Sequence, residues 1–504
     1  MRSNSVEETI SKAYDYYIAG NIDKAISCYR EALSQDSNYA PIYLGLALIY
    51  GNMYIQNTND KNLFIFAKKN YEKVLQLQPN LPKIHADLAY ILSVKGDFEE
   101  SAIHYKRALE LGLNNAEIYY NAGAIISEIN CDEAIEYQFK ALDLEPDKAI
   151  IYHNLGYAYM AQKRVVEAEW YYKKAITLEP EYWEAYVNLA NLYFLNKQYN
   201  KAWDHYEYRF LKNISIKNRL PNISKPIWDG SSLIGKTICV YCEQGLGDII
   251  NFIRYVPVLS KLGAKVILKL HRDYSSLEKL FKDSNLKAEI LDHSLDDENI
   301  ECDTLISVMS LPHRLKTTID NIPYKDNYLK AKPEKVTYYK NKYFDNTDFK
   351  LGIVWNCRNK EVNDKYRSLN DLSYFYPFCK LANVQVYSLQ KGDGVDDLNN
   401  LPDDINIIDL GYTFNDFSDT AAAIENLDLL ISIDTSVPHL AGALGKPAWI
   451  LLSYIHSWRW TYDLKISPWY NSIKLFRQEQ QNVWAHPVQE AYEHFKSLIQ
   501  SRKN

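Results

Sequence analysis

Side chains able to do chemistry gather in four short segments, each directly behind an apolar run: "CEQGLGD" at 242–248, "WNCRNK" at 355–360, "LQKGDG" at 389–394 and "DTSVP" at 434–438. The last places Asp434, Thr435 and Ser436 between the buried-strand pattern 429–433 and a small-residue segment that ends at Gly445. That reads as the start of a helix. Its first amide groups, Val437 included, and its positive dipole end suit an anion, whereas a plain N-cap needs one polar residue and not three. Asp248 closes a turn and opens a helix, and as a bare pattern it is an N-cap. Gly245 and Gly247 permit a ligand to come close to the backbone, with Gln244 and Glu243 as adjacent contacts. Arg358, Lys360, Lys365 and Arg367 crowd the loop "CRNKEVNDKYRSL", either as a solvated surface or as cationic partners of an anion. Gln390 and Lys391 are weaker candidates for the same work, and His439 is either a packed or capping residue or one that shapes the anion loop. Cys239 and Cys242 form a C-x-x-C inside "TICVYC", but a strand turns them to opposite faces, so their reading is structural and not redox or metal-binding.

These segments need elements to hold them. From "KTICVYC" onward, strand patterns alternate with helices. "AKVILKL" and "CDTLISV" continue a first series, and "IINFIRYVPVLSKLG" reads as an amphipathic helix within it. "KLGIVW" opens a second series with "VQVYSLQ", "INIIDL", "LDLLISI" and "PAWILL". Two such series predict two doubly wound α/β domains, in which ligands bind beyond the carboxyl ends of strands. All four polar segments occupy that position.

The first two hundred residues differ. "KAISCYREAL", "FAKKNYEKVL", "SAIHYKRAL", "EAIEYQFKAL", "EAEWYYKKAI" and "KAWDHYEYRF" align on Ala25, Ala67, Ser101, Ala134, Ala168 and Ala202, at steps of 42, 34, 33, 34 and 34 residues. A second half-pattern ("YLGLALIY", "HADLAYIL", "YNAGAIIS", "YHNLGYAY", "YVNLANLY") accompanies them, with Pro79, Pro146 and Pro180 where a helix should stop. The long first step places about eight extra residues near "GNMYIQNTNDKN", expected as a longer turn within the second repeat. Between 211 and 235 helical periodicity is lost and two prolines appear, as in a linker.

The repeats resemble the tetratricopeptide repeat, whose pattern Tyr152, Leu155, Gly156, Tyr159, Ala168, Tyr172, Ala175 and Pro180 match. The second half resembles the heptosyltransferase-like glycosyltransferases, family nine of the GT-B fold, in the branch fused to such repeats. The matching segments are "EQGLGDIINFIRYVP", "GIVWNC", "NDKYRSL", "YSLQKG", "DFSDTAAAIENLDLLISIDTSVPHLAGALGKPAWILL", "WRW" and "SPWYNSIKLFRQ". Only in architecture is it also similar to the O-linked N-acetylglucosamine transferases. The resemblance implies an α-solenoid at 1–212, a linker at 213–232, an acceptor-side domain at 233–345 and a nucleotide-sugar-binding domain at 346–504. It implies an inverting enzyme with a nucleotide-diphosphate sugar as donor substrate, no cofactor and no metal. Asp248 matches the family's proposed general base. Arg358, Lys360, Arg367, Gln390, Lys391, Asp434, Thr435, Ser436, Val437 and His439 fall to the donor, and Gln244, Gly245 and Gly247 to the acceptor or cleft loop. Relatives place a lysine near Arg367, so the arginine is a departure that leaves the donor's identity open. Trp458, Trp460 and Trp469 are core aromatics or a sugar-stacking wall.

The expected acceptor is a protein or peptide held in the repeat groove; a lipopolysaccharide or other glycan acceptor is an alternative, and an inactive transferase on a repeat scaffold another. A fragment starting near Ser224 is expected to keep nucleotide binding. At 504 residues the chain needs two or three cores, and a net charge of -7 argues against nucleic acid as the main partner. "MRSNSVEETISKAYDYY" has no apolar core of a secretory signal, and no run approaches a membrane span. Seven scattered cysteines fit a reducing compartment, so the expected location is cytoplasmic.

Overall fold

The computed structural model describes residues 4–58, 60–211, 221, 223–292, 294, 297, 300–357 and 364–502. The chain divides into two compact units, Met1–Tyr182 and Trp183–Asn504.

The first unit is built of helices packed in consecutive pairs, Asn4–Ile18 with Ile22–Gln35 through Ala149–Ala161 with Val165–Leu178. Alanines of the repeat pattern (Ala25, Ala67, Ala134, Ala168) are fully buried, because only a methyl group fits where two helices cross. Gly156 lies against Tyr172, where a Cβ would come within 2.7 Å of the ring. One repeat substitutes Gln138 for the aromatic, and its buried amide donates to the Tyr120 carbonyl at 2.9 Å. Helices end at Leu77, Leu144 and Leu178, just ahead of the three prolines. The second repeat departs from expectation. Its extra residues lengthen the helices instead of the turn, giving Ala40–Gln56 and Lys61–Leu77 of 17 residues each. Apolar residues continue to the ends, where Tyr54 packs on Phe64 with ring centroids 5.5 Å apart, and Asp60 caps the second helix by accepting from the Asn62 amide at 2.9 Å.

The second unit begins with the helices Trp183–Leu195 and Tyr199–Tyr206 and contains two parallel sheets. The first sheet has strands β1 (Thr237–Tyr241), β2 (Lys265–Lys269), β3 (Glu289–Leu291) and β4 (Thr304–Ser307), in the order β3-β2-β1-β4. The second has β5 (Phe349–Val354), β6 (Val384–Ser388), β7 (Ile407–Asp409), β8 (Leu429–Ile433), β9 (Ala448–Leu452) and β10 (Ile473–Arg477), in the order β10-β9-β8-β5-β6-β7. Every residue of β8 and β9 is buried, as expected of strands covered on both faces. The C-terminal helix Ala485–Ser501 lays Phe495 on Phe349 and Phe378, centroids 5.3 and 5.5 Å away. Burying such a ring contributes about 1.5–3 kcal/mol. The short strands β3 and β10 are additions to the sequence reading.

"IINFIRYVPVLSKLG" is an interrupted helix. Leu246–Phe252 passes through a tight turn at Ile253–Tyr255 into Val256–Lys261, because Pro257 has no amide to donate backward. Part of the expected linker is pinned, since Ile227 bridges Leu305 and the Trp228 amide donates to the Leu305 carbonyl at 2.9 Å. The two helices at the start of the unit are anchored as firmly. Trp203 donates its indole N–H to the Thr317 carbonyl at 2.8 Å, and Phe194 stacks on Trp458 at 4.0 Å.

Candidate functional site

In the six-stranded sheet the chain runs outward from β5 through β6 and β7, then crosses back to β8 on the other side of β5. From there it runs outward through β9 and β10, so the strand order reverses between β5 and β8. A parallel sheet opens a crevice at the carboxyl ends of such a strand pair. Trp355 to Cys357 follow β5 there, and Asp434 to Ser436 follow β8. The helix Ser436–Ala443 then begins with Thr435 at its N-cap position, extended at φ -136° and ψ -173°, but the Thr435 side chain caps nothing. Its hydroxyl and Asp434 Oδ2 are buried and have no hydrogen-bond partner among the described residues. The Ser436 and Val437 amides donate to no acceptor among the described residues, and Pro438 has no amide. The polar triplet is therefore not an ordinary cap.

Facing it is the turn after β1. Gln244 is left-handed at φ 69°, and its carbonyl accepts from the Tyr274 hydroxyl at 2.6 Å. Gly245 is extended at φ -82°, and Asp248 caps its amide at 3.1 Å while ion-pairing with Arg459 through the other carboxylate oxygen. What Gly247 lets near is protein: a Cβ there would stand 3.0 Å from His439 Cδ2 and 3.4 Å from Ser436 Cα. The helices Leu246–Phe252 and Ser436–Ala443 thus meet at their N-terminal ends, with Asp248 beside the open amides.

His439 is buried, stacked on Trp460 with centroids 5.0 Å apart, and its Nδ1 is 2.9 Å from the Tyr470 hydroxyl. Burial, with help from Arg459, Arg254 and Arg367, holds its pKa well below the usual imidazole range, so it is neutral near pH 7. Burial pushes the Asp434 carboxyl up, against the pull of Arg367, the Trp460 indole and Arg459. Arg367 reaches the Asp434 carbonyl at 3.4 Å. Arg358 and Lys360, and the side chain of Lys365, lie outside the described residues.

Other candidates are occupied by the fold. Gln390 is buried and uses its whole amide on the loop after β5: it accepts from the Trp355 and Asn356 amides at 3.1 and 3.0 Å and donates to the Asn356 and Asp393 carbonyls. Lys391 is tied to the Phe414 carbonyl. Glu243 is fully buried and accepts from Arg209 at 2.7 Å and from Ser307. Trp458, Trp460 and Trp469 are core side chains. Cys239 and Cys242 are buried free thiols, and burial pushes Cys239 up to about 12, far from a reactive thiolate. Among the described residues no group of three or more His, Cys, Asp or Glu side chains is placed to hold a metal ion, and no helix is long and apolar enough to cross a membrane. Sequence reasoning passed over Arg459; the signal was there, an arginine between two tryptophans in "WRW".

Comparison with known proteins covers mainly the repeats. Residues 13–53, 149–182 and 171–204 match models of the tetratricopeptide repeat, so the N-terminal part of the chain carries such repeats. Protein FlbA of Caulobacter vibrioides is 26% identical over 309 residues, spanning 56% of this chain and 50% of its own. The chain thus spans about half the length of the curated relative it matches. Among solved structures, YrrB, described as a TPR protein with an unusual peptide-binding site, is 25% identical with a TM-score of 0.32, over 35% of this chain and 88% of its own. A tetratricopeptide repeat protein from Parabacteroides merdae is 20% identical with a TM-score of 0.37, over 41% of this chain and 80% of its own.

Proposed function

We propose that the second unit is a GT-B-type glycosyltransferase that moves a sugar from a nucleotide-diphosphate donor to a macromolecular acceptor, a protein recruited by the repeats. One observation supports this above the rest: a held carboxylate, Asp248, stands beside two helix-start amides that have no acceptor among the described residues, in the crevice where the strand order reverses. The amides of Ser436 and Val437, with Arg367 nearby, suit the donor's diphosphate. Asp248 takes the proton from the acceptor's nucleophilic group, whose freed electron pair bonds to the sugar's anomeric carbon. The bond from that carbon to the β-phosphate oxygen breaks, and the nucleoside diphosphate leaves with the bonding pair. Attack opposite the leaving group inverts the anomeric configuration. Neutral, buried His439 plays no part in proton transfer and keeps the diphosphate loop in shape by packing. No cofactor is needed for this chemistry.

The test is Asp248→Asn, which keeps the cap's shape and removes basicity. Turnover should fall by roughly a hundredfold or more while nucleotide-sugar binding persists, since a positioned base typically contributes that much. Unchanged turnover would remove Asp248 from this role.

A further inference from the structure

Arg459 is 6% exposed and is held from several sides. Its guanidinium carbon lies 4.4 Å from the Trp458 ring centroid and 5.3 Å from that of Phe252. Its Nη1 donates to the Ser457 hydroxyl at 3.1 Å, while Nε and Nη2 make no hydrogen bond among the described residues, Nη2 facing Asp248 as an ion pair. Among the described residues the carboxylate it pairs with is Asp248. Trp458 is fixed in turn, stacked on Phe194 at 4.0 Å and set edge-on to Trp203 at 5.7 Å, both on helices that continue the repeats. An ordinary ion pair would leave both partners free to move in solvent. Here the cation is backed by two adjoining rings and the carboxylate is more open, with side chains 8% and 23% exposed respectively.

We infer that Arg459 is a positioning residue for sugar transfer: resting on the adjoining Phe252 and Trp458 rings, it fixes the Asp248 carboxylate in line with the crevice. The inference rests on the transferase reading and extends it, because Trp458 is backed by the two helices 183–206. A planar guanidinium lies on the rings while Nη1 holds Ser457 and Nη2 meets Asp248, contacts that the single ammonium of a lysine on its flexible stem does not reproduce together.

The experiment uses the full chain and three probes, UDP-N-acetylglucosamine, GDP-mannose and ADP-glucose, with release of nucleoside diphosphate to water as the readout. Wild type, Asp248→Asn, Arg459→Ala, Arg459→Lys and the double variant Asp248→Asn/Arg459→Ala are compared. Arg459→Ala should lower kcat about tenfold or more, with the donor's Kd unchanged within about twofold. Added guanidinium ion at millimolar concentration should restore part of that loss, Arg459→Lys should fall between, and the double variant should be no slower than Asp248→Asn. If Asp248→Asn is slow but both Arg459 variants turn over at the wild-type rate, or if the two losses multiply without rescue, the positioning role is overturned and the transferase reading stands. If no probe supports release, or Asp248→Asn is as fast as wild type, the transferase reading fails and the inference with it. Arg459→Lys keeps the cation, so it reports on positioning even where the alanine variant does not fold.

Discussion

Ser436 and Asp248 show how one residue's surroundings separate a cap from a site. Asp248 does cap, yet its second oxygen is committed to Arg459; Ser436 opens a helix whose first amides have no acceptor among the described residues. In Ser436→Asp, a carboxylate at a helix start should stabilise the fold by roughly 0.3–1 kcal/mol. It should also repel phosphates, so nucleoside diphosphate binding measured by calorimetry should weaken at least about tenfold while the unfolding midpoint holds or rises. Wild-type affinity in the folded variant would place the diphosphate elsewhere. In the repeats, burial pushes His153 down to about 4. An unfolded histidine titrates near 6.5, so between those values the unfolded chain binds the extra proton and stability rises with pH. The His153 contribution is therefore fully present above about pH 6.5 and is lost as pH falls toward about 4, on the order of 3 kcal/mol across that window. Urea unfolding at pH 5 and pH 7.5 should show a smaller difference in His153→Gln than in wild type. An equal difference would mean that the imidazole already ionises in the folded state.

At the scale of elements, the site depends on two short helices meeting end to end. Their closeness is set by Gly247, whose missing Cβ leaves room for His439 and the Ser436 backbone. The His439 ring cannot retreat freely, since it is stacked on Trp460 and bonded to Tyr470. Gly247→Ala should therefore push the helices apart, costing about 1–3 kcal/mol as overpacking does. It should weaken nucleotide binding as well, because the Ser436 and Val437 amides move with their helix. A variant with wild-type stability and affinity would show that the helices have slack the packing does not reveal. The same region explains why the predicted long helix is broken. Pro257 ends one hydrogen-bonded run, and buried Arg254 fills the gap by donating to the Asn251 and Trp469 carbonyls at 2.7 and 2.6 Å.

On the scale of the whole chain, the boundary between compact units falls at Tyr182, ahead of the helices Trp183–Leu195 and Tyr199–Tyr206. Arg209, just beyond them, is the buried partner of Glu243 after β1. A fragment beginning at Ser224 would leave Glu243 buried without its cation, a loss of about 3–5 kcal/mol, and would uncover Trp458 where Phe194 stacks. The fragment from Ser224 should be aggregated or unfolded by circular dichroism, whereas 183–504 should melt cooperatively and bind the same nucleotides as the full chain. Cooperative melting of both at one temperature would reduce the two helices to a passive attachment.

Much of this was legible in the residues alone, because local patterns carry local physics. The alanine and aromatic spacing specified paired helices, the continuous apolar runs specified covered parallel strands, and the position of "DTSVP" behind one of them specified a helix start facing a crevice. Gln390 and Lys391 show the limit: polar residues at a strand end look alike in sequence, and only the folded chain turns Gln390 inward to staple a neighbouring loop and ties Lys391 to Phe414. Arg209 meets Glu243 across 34 residues and Arg459 meets Asp248 across more than two hundred, as their numbers show. No periodicity encodes such pairings. They are decided when separate elements are packed close enough for burial to demand a partner for each charge.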